Sequence, residues 1–350
     1  MEMSIKKIGI IIMIFSTMVL IGCNKDVGRE TEDEILKGSK EKVEKEQDEE
    51  GVGIPSPISG LYALEEKVKR RPMAIMFDNH PKARWQSGIS QAEIVYEYLV
   101  EAPYTRYMGI FLINDPESIG PIRSARPYFI SSLLEYDPIY VRVGGSPQAK
   151  DDVLAFNIDD IDGLVAPKGV LWRNTKVNKK SPHNTYTSME ALRAYQKENG
   201  YKETGDYVGF KFNDGDRDLE GFDANKVIIN YNSQNTTSYI YDPKEKEYSR
   251  EKDGQLHIDE LDHSPIRVKN IIIQEAETKI IDDSGRLFID VIGEGRGKYI
   301  TNGKMVDIKW VKQSRSNKTY YHDENGREII FNPGATWIQV VKPDTIIDIE

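Results

Sequence analysis

The last third of the chain is divided by closely spaced turn dipeptides, and these turns limit its possible folds more strongly than any other feature. They are Asp253-Gly254, Ser284-Gly285, Asn302-Gly303, Asn325-Gly326 and Pro333-Gly334. Between them lie short runs rich in β-branched and aromatic residues, at 226–231, 268–273, 287–292, 304–311, 328–331 and 336–341. Asn-Gly and Asp-Gly favour the tight turns of hairpins, whose strands are antiparallel. We therefore predict a mainly antiparallel β domain over residues 224–350.

The preceding segment has a different pattern, in which apolar runs alternate with helix-like spacing. Strands are predicted at 73–77, 107–113 and 138–143, and helices at 124–136, 146–156 and 188–199. Residues 90–100 fit either a helix that begins at Ser90 or a strand. Strands that alternate with helices are typical of α/β folds. We expect an N-terminal α/β domain over residues 61–210 and an α+β protein overall.

Composition excludes several functional classes. The chain has 350 residues, with 47 basic and 57 acidic side chains and a formal net charge of −10. A net acidic protein is unsuited to sequence-independent binding of nucleic acid, which needs basic side chains to displace phosphate counterions. The single cysteine excludes an intramolecular disulfide and a multi-cysteine zinc or iron–sulfur site. No nucleic-acid partner is therefore predicted.

Common catalytic and cofactor motifs are missing from the sequence. It contains no H-E-x-x-H, G-x-S-x-G or G-x-x-x-x-G-K-[ST] motif. Its five histidines share no metal-ligand spacing on any predicted element. The acidic stretch 214–218 lacks the following glycine and the final glutamate of a calcium loop. No metal and no cofactor are predicted.

The N-terminus predicts a lipid anchor. Lys6 and Lys7 precede an apolar run from residue 8 to residue 21. A helix of this length rises roughly 21 Å, which is too short to cross a bilayer but is typical of a secretory signal peptide. The run ends in Leu20-Ile21-Gly22-Cys23, which resembles a bacterial lipobox. We expect residues 1–22 to be a signal peptide and Cys23 to carry a diacylglyceryl group that attaches the protein to the outer face of the cytoplasmic membrane. The alternative is a structural thiol at the end of an uncleaved anchor.

The next segment, residues 23–60, has the composition of a disordered acidic tether. Residues 24–57 contain six Lys or Arg, eleven Asp or Glu and almost no large apolar side chains. Such a segment cannot bury enough apolar surface to offset the entropy lost on ordering. Glycine and proline at 51–57 are typical of a linker. The folded part is expected to begin near Leu61.

Two polar loops of the first predicted domain carry side chains with potential chemistry. Asp78-Asn79-His80-Pro81 directly follows a predicted strand, where α/β folds place ligand-binding loops. His183 and Asn184 lie in a second polar loop. The structural alternatives are an Asx turn at Asp78 and a hydrogen-bonded loop histidine at His183.

Three arginines form the other candidate group. Arg123 and Arg126 are three residues apart at a predicted helix start, where guanidinium groups suit a carboxylate or phosphate ligand. Arg106 could pair with Glu97 or Glu101, and the arginines could equally form a purely structural ion network. The predicted ligand-binding residues are Asp78, Asn79, Arg106, Arg123, Ser124, Arg126, His183 and Asn184.

Several segments together resemble the YerB-like lipoprotein family. They are R-P-M-A-I-M-F-D-N-H-P-K-A-R (71–84), Q-S-G-I-S-Q-A-E-I-V-Y-E (86–97), T-R-Y-M (105–108), G-P-I-R-S-A-R-P-Y (120–128), S-P-H-N-T-Y (181–186), W-V-K (310–312) and P-G-A-T-W-I (333–338). The resemblance covers residues 61–350. It implies a lipobox, a tether and two paired domains, and it implies no particular chemistry.

The leading functional hypothesis is a non-enzymatic binding or regulatory module of the cell envelope. Its ligand is expected to be anionic: a peptidoglycan stem peptide, a teichoic-acid phosphate or an acidic patch on an envelope protein. Arg106, Arg123 and Arg126 would contact the anion. Asp78, Asn79 and Asn184 would fix its orientation.

Two alternatives stay open. The first is an enzyme that acts on envelope polymer, with Asp78 or Glu97 paired with His183 as acid and base. The second is a scaffold that binds another envelope protein through an exposed strand edge or apolar patch.

Overall fold

Residues 53–350 are described by a computed structural model, and the predicted signal peptide, Cys23 and most of the tether lie outside them. In this part of the chain, 23 strands greatly outnumber four α-helices. None of the described helices has the length and hydropathy needed to span a bilayer.

The helices and strands have the following bounds. The α-helices are α1 (Glu65–Val68), α2 (Pro127–Leu133), α3 (Pro147–Ala155) and α4 (Met189–Glu198), and single 3-10 turns occupy Pro81–Ala83, Ile89–Gln91 and Leu134–Tyr136. The earlier strands are β1 (Ile54–Pro55), β2 (Tyr62–Ala63), β3 (Met73–Asp78), β4 (Ile94–Leu99), β5 (Thr105–Phe111), β6 (Ile139–Arg142), β7 (Asp160–Asp162), β8 (Trp172–Arg173) and β9 (Thr185–Tyr186). The later strands are β10 (Phe222–Asp223), β11 (Lys226–Asn232), β12 (Asn235–Asp242), β13 (Glu247–Lys252), β14 (Gln255–Leu256), β15 (Arg267–Val268), β16 (Asn270–Glu275), β17 (Thr278–Ile280), β18 (Leu287–Ile289), β19 (Gly293–Thr301), β20 (Lys304–Lys312), β21 (Tyr320–His322), β22 (Thr336–Val341) and β23 (Ile346–Ile349).

Local sequence signals account for the two longest helices. The hydroxyl of Ser146 accepts a hydrogen bond from the Ala149 amide at the start of α3. Ser188 caps α4 in the same way through the Ala191 amide. Each cap satisfies an amide that has no partner within its helix. The helices predicted at 146–156 and 188–199 are therefore confirmed.

One sheet of eleven strands joins both halves of the chain. Its strand order is β10-β20-β19-β16-β22-β4-β5-β3-β6-β7, and β21 pairs with β20. Strand β22 lies between β16 and β4 and runs parallel to both. The sheet therefore crosses the boundary predicted between residues 210 and 224.

The first half of this sheet is mixed rather than purely parallel. Strands β3–β6 and β6–β7 are parallel, as in an α/β unit. Strands β4–β5 and β3–β5 are antiparallel. The short β4–β5 connection allows only a hairpin, because a parallel crossover needs a dozen or more residues. The α/β prediction for residues 61–210 thus describes only its parallel part.

The second sheet is antiparallel throughout, with the order β14-β13-β12-β11-β23 and with β15 paired to β13. The predicted turns at Asp253-Gly254 and Asn302-Gly303 connect hairpins β13–β14 and β19–β20. Asn302 and Gly303 have φ values of 49° and 72°, the left-handed pair that a type I′ turn requires. Residues 328–331 form only isolated bridges, so the strand predicted there is wrong.

Apolar side chains cover both faces of the eleven-stranded sheet, as strand β3 shows. Along β3, Met73, Ile75 and Phe77 lie in one core, and Ala74 and Met76 lie in the other. A strand that is covered on both faces reads as a continuous apolar run instead of an alternating one.

The folded part begins before the expected residue 61. Ser56, Ile58 and Ser59 are buried. The two serine hydroxyls donate to Glu93 Oε1 over 2.6 and 2.7 Å. The other Glu93 oxygen accepts the Leu112 and Ile113 amides at 2.7 and 2.9 Å. Four hydrogen bonds satisfy this buried carboxylate, so the last residues assigned to the tether are part of the fold.

Candidate functional site

The side chain of Asp78 joins two loops that are far apart in the sequence. Asp78 is the last residue of β3 and is buried. Its Oδ1 atom accepts the His80 amide at 3.0 Å, which is the predicted Asx turn. Its Oδ2 atom lies 2.8 Å from His183 Nδ1 and 3.3 Å from Arg123 Nε. Asp78, His80, Arg123 and His183 are called the Asp78 cluster below.

Two histidine rings form one side of the Asp78 cluster. The rings of His80 and His183 stack with centroids 4.5 Å apart and an interplanar angle of 19°. The centroid of the His80 ring also lies 4.6 Å from that of the Tyr104 ring. Partial burial and the nearby charge of His183 lower the pKa of His80. These effects favour the neutral form of His80.

Arg123 is the most solvent-exposed of the three predicted arginines. Its side chain is 30% exposed. It meets Asp78 in an ionic contact that lacks hydrogen-bond geometry at Nε. No residue within 53–350 accepts a hydrogen bond from its two terminal nitrogens, which remain available to a ligand.

The other two predicted arginines are occupied by protein acceptors. Arg106 is buried and donates to the Ser124 carbonyl at 2.7 Å and to Ser124 Oγ at 3.2 Å. Burial and the neighbouring charge of Arg126 lower the pKa of Arg106 to about 10. Arg126 donates to Glu101 and to the Ala125 carbonyl, both at 2.7 Å. These arginines and Ser124 hold the loop together, which is the structural alternative.

The two predicted asparagines also bind protein groups. Asn79 is buried, donates to Thr105 Oγ1 at 2.7 Å and accepts from Arg84 Nε at 3.0 Å. Asn184 accepts from Arg173 and donates to the Asn174 carbonyl, each at 3.3 Å. Both side-chain amides hold their loops in position, so they are not placed to contact a ligand together with Arg123.

Glu97 is not beside His183 or Arg106, contrary to two of the sequence expectations. It is fully buried and contacts Arg250 at 2.5 Å and Lys252 at 2.9 Å. Burial would raise the pKa of Glu97, but the attraction of Lys252 and Arg250 outweighs it and lowers the pKa to about 2. These two expectations are wrong because both faces of β4 are covered, so the Glu97 side chain points into the protein. The acid–base alternative therefore retains only Asp78.

The ion cluster of Glu97, Arg250 and Lys252, called the Glu97 network below, also supports the Asp78 loop. On one side, Thr105 donates to Glu97 at 2.6 Å and accepts from Asn79. On the other side, Arg250 contacts His257 at 2.6 Å, and His257 contacts Gln86 at 2.8 Å. Gln86 in turn donates to the Asp78 carbonyl at 2.8 Å. No motif or spacing in the sequence marks Arg250, Lys252 or His257 as members of this network.

The arrangement of acidic, histidine and cysteine side chains decides whether the described residues could bind a metal ion. Across residues 53–350, no group of three or more His, Cys, Asp and Glu side chains is arranged to hold a metal ion. The Asp78 cluster instead combines one carboxylate, two imidazoles and one guanidinium group. Such a set suits hydrogen bonding to an anion or proton transfer.

The fold and the Asp78 cluster define a class of strand-rich proteins. In this class, two successive segments of the chain share one sheet, and a cluster of polar loop residues lies at the end of one of its interior strands. The chain belongs to the DUF3048 family. Residues 58–202 match the model described as "Protein of unknown function (DUF3048) N-terminal domain", and residues 227–338 match that of its C-terminal domain. Together with the two relatives described next, these matches confirm the resemblance to the YerB-like family.

Two comparisons with individual proteins agree with this assignment. The chain is 36% identical to "Putative lipoprotein YerB" of Bacillus subtilis (strain 168) over 297 residues, which are 83% of this chain and 87% of the relative. It also resembles the crystal structure of YerB protein from Bacillus subtilis, with a TM-score of 0.76 and 34% identity. That similarity covers 84% of this chain and 99% of the crystallised one.

Proposed function

We propose that the protein is a lipid-anchored binding module on the outer face of the cytoplasmic membrane. The anchor is a diacylglyceryl group on Cys23, and the residues from Cys23 to residue 52 form an acidic tether. Support comes from the short apolar run that ends in Leu20-Ile21-Gly22-Cys23 and from the lipoprotein named among its relatives. Two acyl chains are sufficient for stable attachment.

The Asp78 cluster is the proposed site for an anionic group of a cell-wall component or an envelope protein. One observation carries this proposal. Arg123 is held by Asp78, yet no residue among 53–350 accepts a hydrogen bond from its two terminal nitrogens. A guanidinium group in this state can form paired hydrogen bonds with a carboxylate or a phosphate. His183, on the same carboxylate, can supply a further donor when it is protonated.

Replacing Arg123 with alanine should weaken binding to purified cell wall by about tenfold or more, because hydrogen bonds to charged groups contribute about 1.5–3 kcal/mol. The melting temperature should change little, since a partly exposed ion pair contributes about 1 kcal/mol or less. The measurement is co-sedimentation of residues 53–350 with wall material, combined with a thermal melt. Arg296→Ala is the matched control, because Arg296 is an exposed arginine distant in sequence from the cluster.

Unchanged wall binding by the Arg123→Ala variant would contradict the proposed site. A large fall in melting temperature would instead support a structural network. A protein that co-purifies with the chain, together with no affinity for wall polymer, would favour the scaffold interpretation.

A second candidate function, hydrolysis of envelope polymer, is favoured by the 2.8 Å contact between Asp78 Oδ2 and His183 Nδ1. A buried carboxylate at Nδ1 orients the imidazole and leaves Nε2 to accept a proton from water. In this candidate, His183 is the general base and Asp78 positions it. The water that has given its proton to His183 attacks the polymer linkage and forms a new bond to its oxygen. The linkage bond breaks, and the proton on His183 passes to the leaving group.

If the chain is such an enzyme, incubation with purified wall should release soluble fragments that mass spectrometry detects. The His183→Ala variant should then lose at least about a hundredfold of that release, since general acid–base catalysis contributes about 10²–10⁴-fold. His263→Ala, which removes an exposed histidine, should leave the release unchanged. Binding of the wild-type protein without any released fragment would contradict this candidate and favour the binding module.

A further inference from the structure

One loop has a charge opposite to that of the whole chain. Residues 164–184, called the basic loop below, contain Lys168, Arg173, Lys176, Lys179 and Lys180 but no Asp or Glu. The chain as a whole carries a formal net charge of −10. Positive charge is therefore concentrated here against an acidic background, and it attracts anionic surfaces.

Four of these five basic side chains are available to a partner. Lys179 is the exception, because its ammonium group binds Glu260 at 2.6 Å and the Trp85 carbonyl at 2.6 Å. The exposed members are Lys168, Arg173, Lys176 and Lys180. None of these four forms a salt bridge with a residue in the described part of the chain. Their charge is therefore not neutralised locally.

The same loop also presents large apolar side chains to solvent. Leu164 is 63% exposed, Val165 is 83% exposed and Trp172 is 37% exposed. Val170 and Leu171 of the same loop instead pack against a core. Val170 and Leu171 therefore supply the contacts of the loop with the core, whereas Leu164, Val165 and Trp172 face solvent.

The backbone of the basic loop is fixed by hydrogen bonds at both ends. Asp162 accepts the Leu164 amide at 3.0 Å through its side chain and the Val165 and Ala166 amides through its carbonyl. At the other end, Asn174 donates its amide to the Asn184 carbonyl at 2.9 Å, next to the β8–β9 pair. The exposed apolar side chains are therefore presented by an ordered loop.

Exposed apolar residues, a tryptophan and several lysines that form no salt bridge are the combination that binds at membrane interfaces. The apolar groups enter the headgroup region, and each Lys or Arg is attracted by anionic lipid. An anionic wall polymer would account for the charges, but it would leave Leu164 and Val165 without a partner. We propose that the basic loop docks the folded part on an anionic phospholipid membrane.

This inference rests on the proposed lipid anchor, which keeps the folded part near a membrane. Residues 24–52, if fully extended, reach about 100 Å. A folded unit of this size has a radius of gyration of about 19 Å. The tether is therefore long enough for any face of the protein to meet the membrane. Because anchoring raises the local concentration of the loop at the lipid surface, even a weak affinity would be sufficient for docking.

The test uses residues 53–350 without the lipid, so that any membrane affinity belongs to the folded part. This part forms one compact unit, and the crystallised relative corresponds to 84% of the chain. Binding is measured by flotation with vesicles of phosphatidylcholine alone and of phosphatidylcholine mixed with an equal amount of phosphatidylglycerol. The expected result is binding to the mixed vesicles only, with weaker binding as salt increases.

Paired variants separate the contributions of charge and apolar contact. Lys176→Gln with Lys180→Gln should weaken vesicle binding about tenfold or more. The control, Lys150→Gln with Lys244→Gln, removes two exposed lysines elsewhere and should have a much smaller effect. Leu164→Ser with Val165→Ser should also weaken binding. The matched control is Ile280→Ser with Ile281→Ser, which alters a similarly exposed apolar pair.

Equal binding to neutral and anionic vesicles, or no effect of either loop variant, would overturn the proposal. So would a requirement for the loop lysines in wall binding together with no vesicle affinity, because the partner would then be the polymer. Arg123→Ala should leave vesicle binding intact, which distinguishes failure of the ligand site from failure of the docking surface. In the full chain, Cys23→Ser tests the anchor separately.

Discussion

Glu97→Gln is expected to lower the free energy of unfolding by about 3–5 kcal/mol, which is the usual cost of breaking a buried ion pair. Arg250 and Lys252 would remain fully buried without the carboxylate that compensates their charges. Glutamine keeps the shape of the side chain but carries no charge, so the loss reports mainly on electrostatics. Because whole proteins are stable by only about 5–15 kcal/mol, the variant should unfold at much lower urea concentration. Urea titration followed by circular dichroism measures this shift.

The matched control for Glu97→Gln is Glu251→Gln. Glu251 lies between Arg250 and Lys252 on β13, faces the other side of the strand and is only half-buried. Its replacement should change stability by less than about 0.5 kcal/mol, as is usual away from buried networks. Adding Lys252→Met to Glu97→Gln should recover part of the loss, since one uncompensated charge is then removed. A Glu97→Gln variant as stable as the wild type would contradict the assigned electrostatics.

The stability of the wild-type protein should fall by about 3 kcal/mol as the pH is lowered from about 4.5 to about 2, through protonation of Glu97 alone. The folded-state pKa of Glu97 is about 2, below the ordinary value of 4.5. The unfolded chain therefore binds more protons in this interval. The stabilisation is complete above about pH 4.5 and is lost as the pH falls through the folded-state pKa.

The measurement for this pH dependence is urea unfolding of the wild type and the Glu97→Gln variant across the acid range. Other carboxylates contribute to both proteins, so the informative quantity is the difference between their unfolding free energies. That difference should shrink as the pH falls, because protonated Glu97 resembles glutamine. A difference that stays constant down to about pH 3 would show that Glu97 does not titrate as described.

The elements that the sequence predicts most accurately are those whose determinants are local. Ser146 and Ser188 mark the first turns of α3 and α4, and Asn302-Gly303 marks a hairpin, because caps and turns depend on neighbouring residues. Residues 90–100 could not be assigned to a helix or a strand. They contain β4, whose residues are buried on both faces and lack the alternation that identifies a half-exposed strand.

The candidate site was only partly predictable for the same reason. The sequence identifies Asp78 and His183 as polar loop residues, but only the fold brings together two residues that are 105 positions apart. The sequence predicts the wrong partners for Glu97, because its actual partners lie 153 and 155 positions further along the chain. The Ser-Arg-Glu-Lys stretch that carries Arg250 and Lys252 has the composition of a solvated turn. Nothing in it indicates that two of its charges are buried.

The position of β22 sets the order in which the protein can be assembled. Residues 336–341 are synthesised after β4 and β16, yet they form the strand between them. Until they leave the ribosome, β4 has an unpaired edge that is open to aggregation. The middle of the sheet can therefore close only after residues 336–341 have been synthesised. A fragment that ends before residue 336 would leave this edge of β4 exposed.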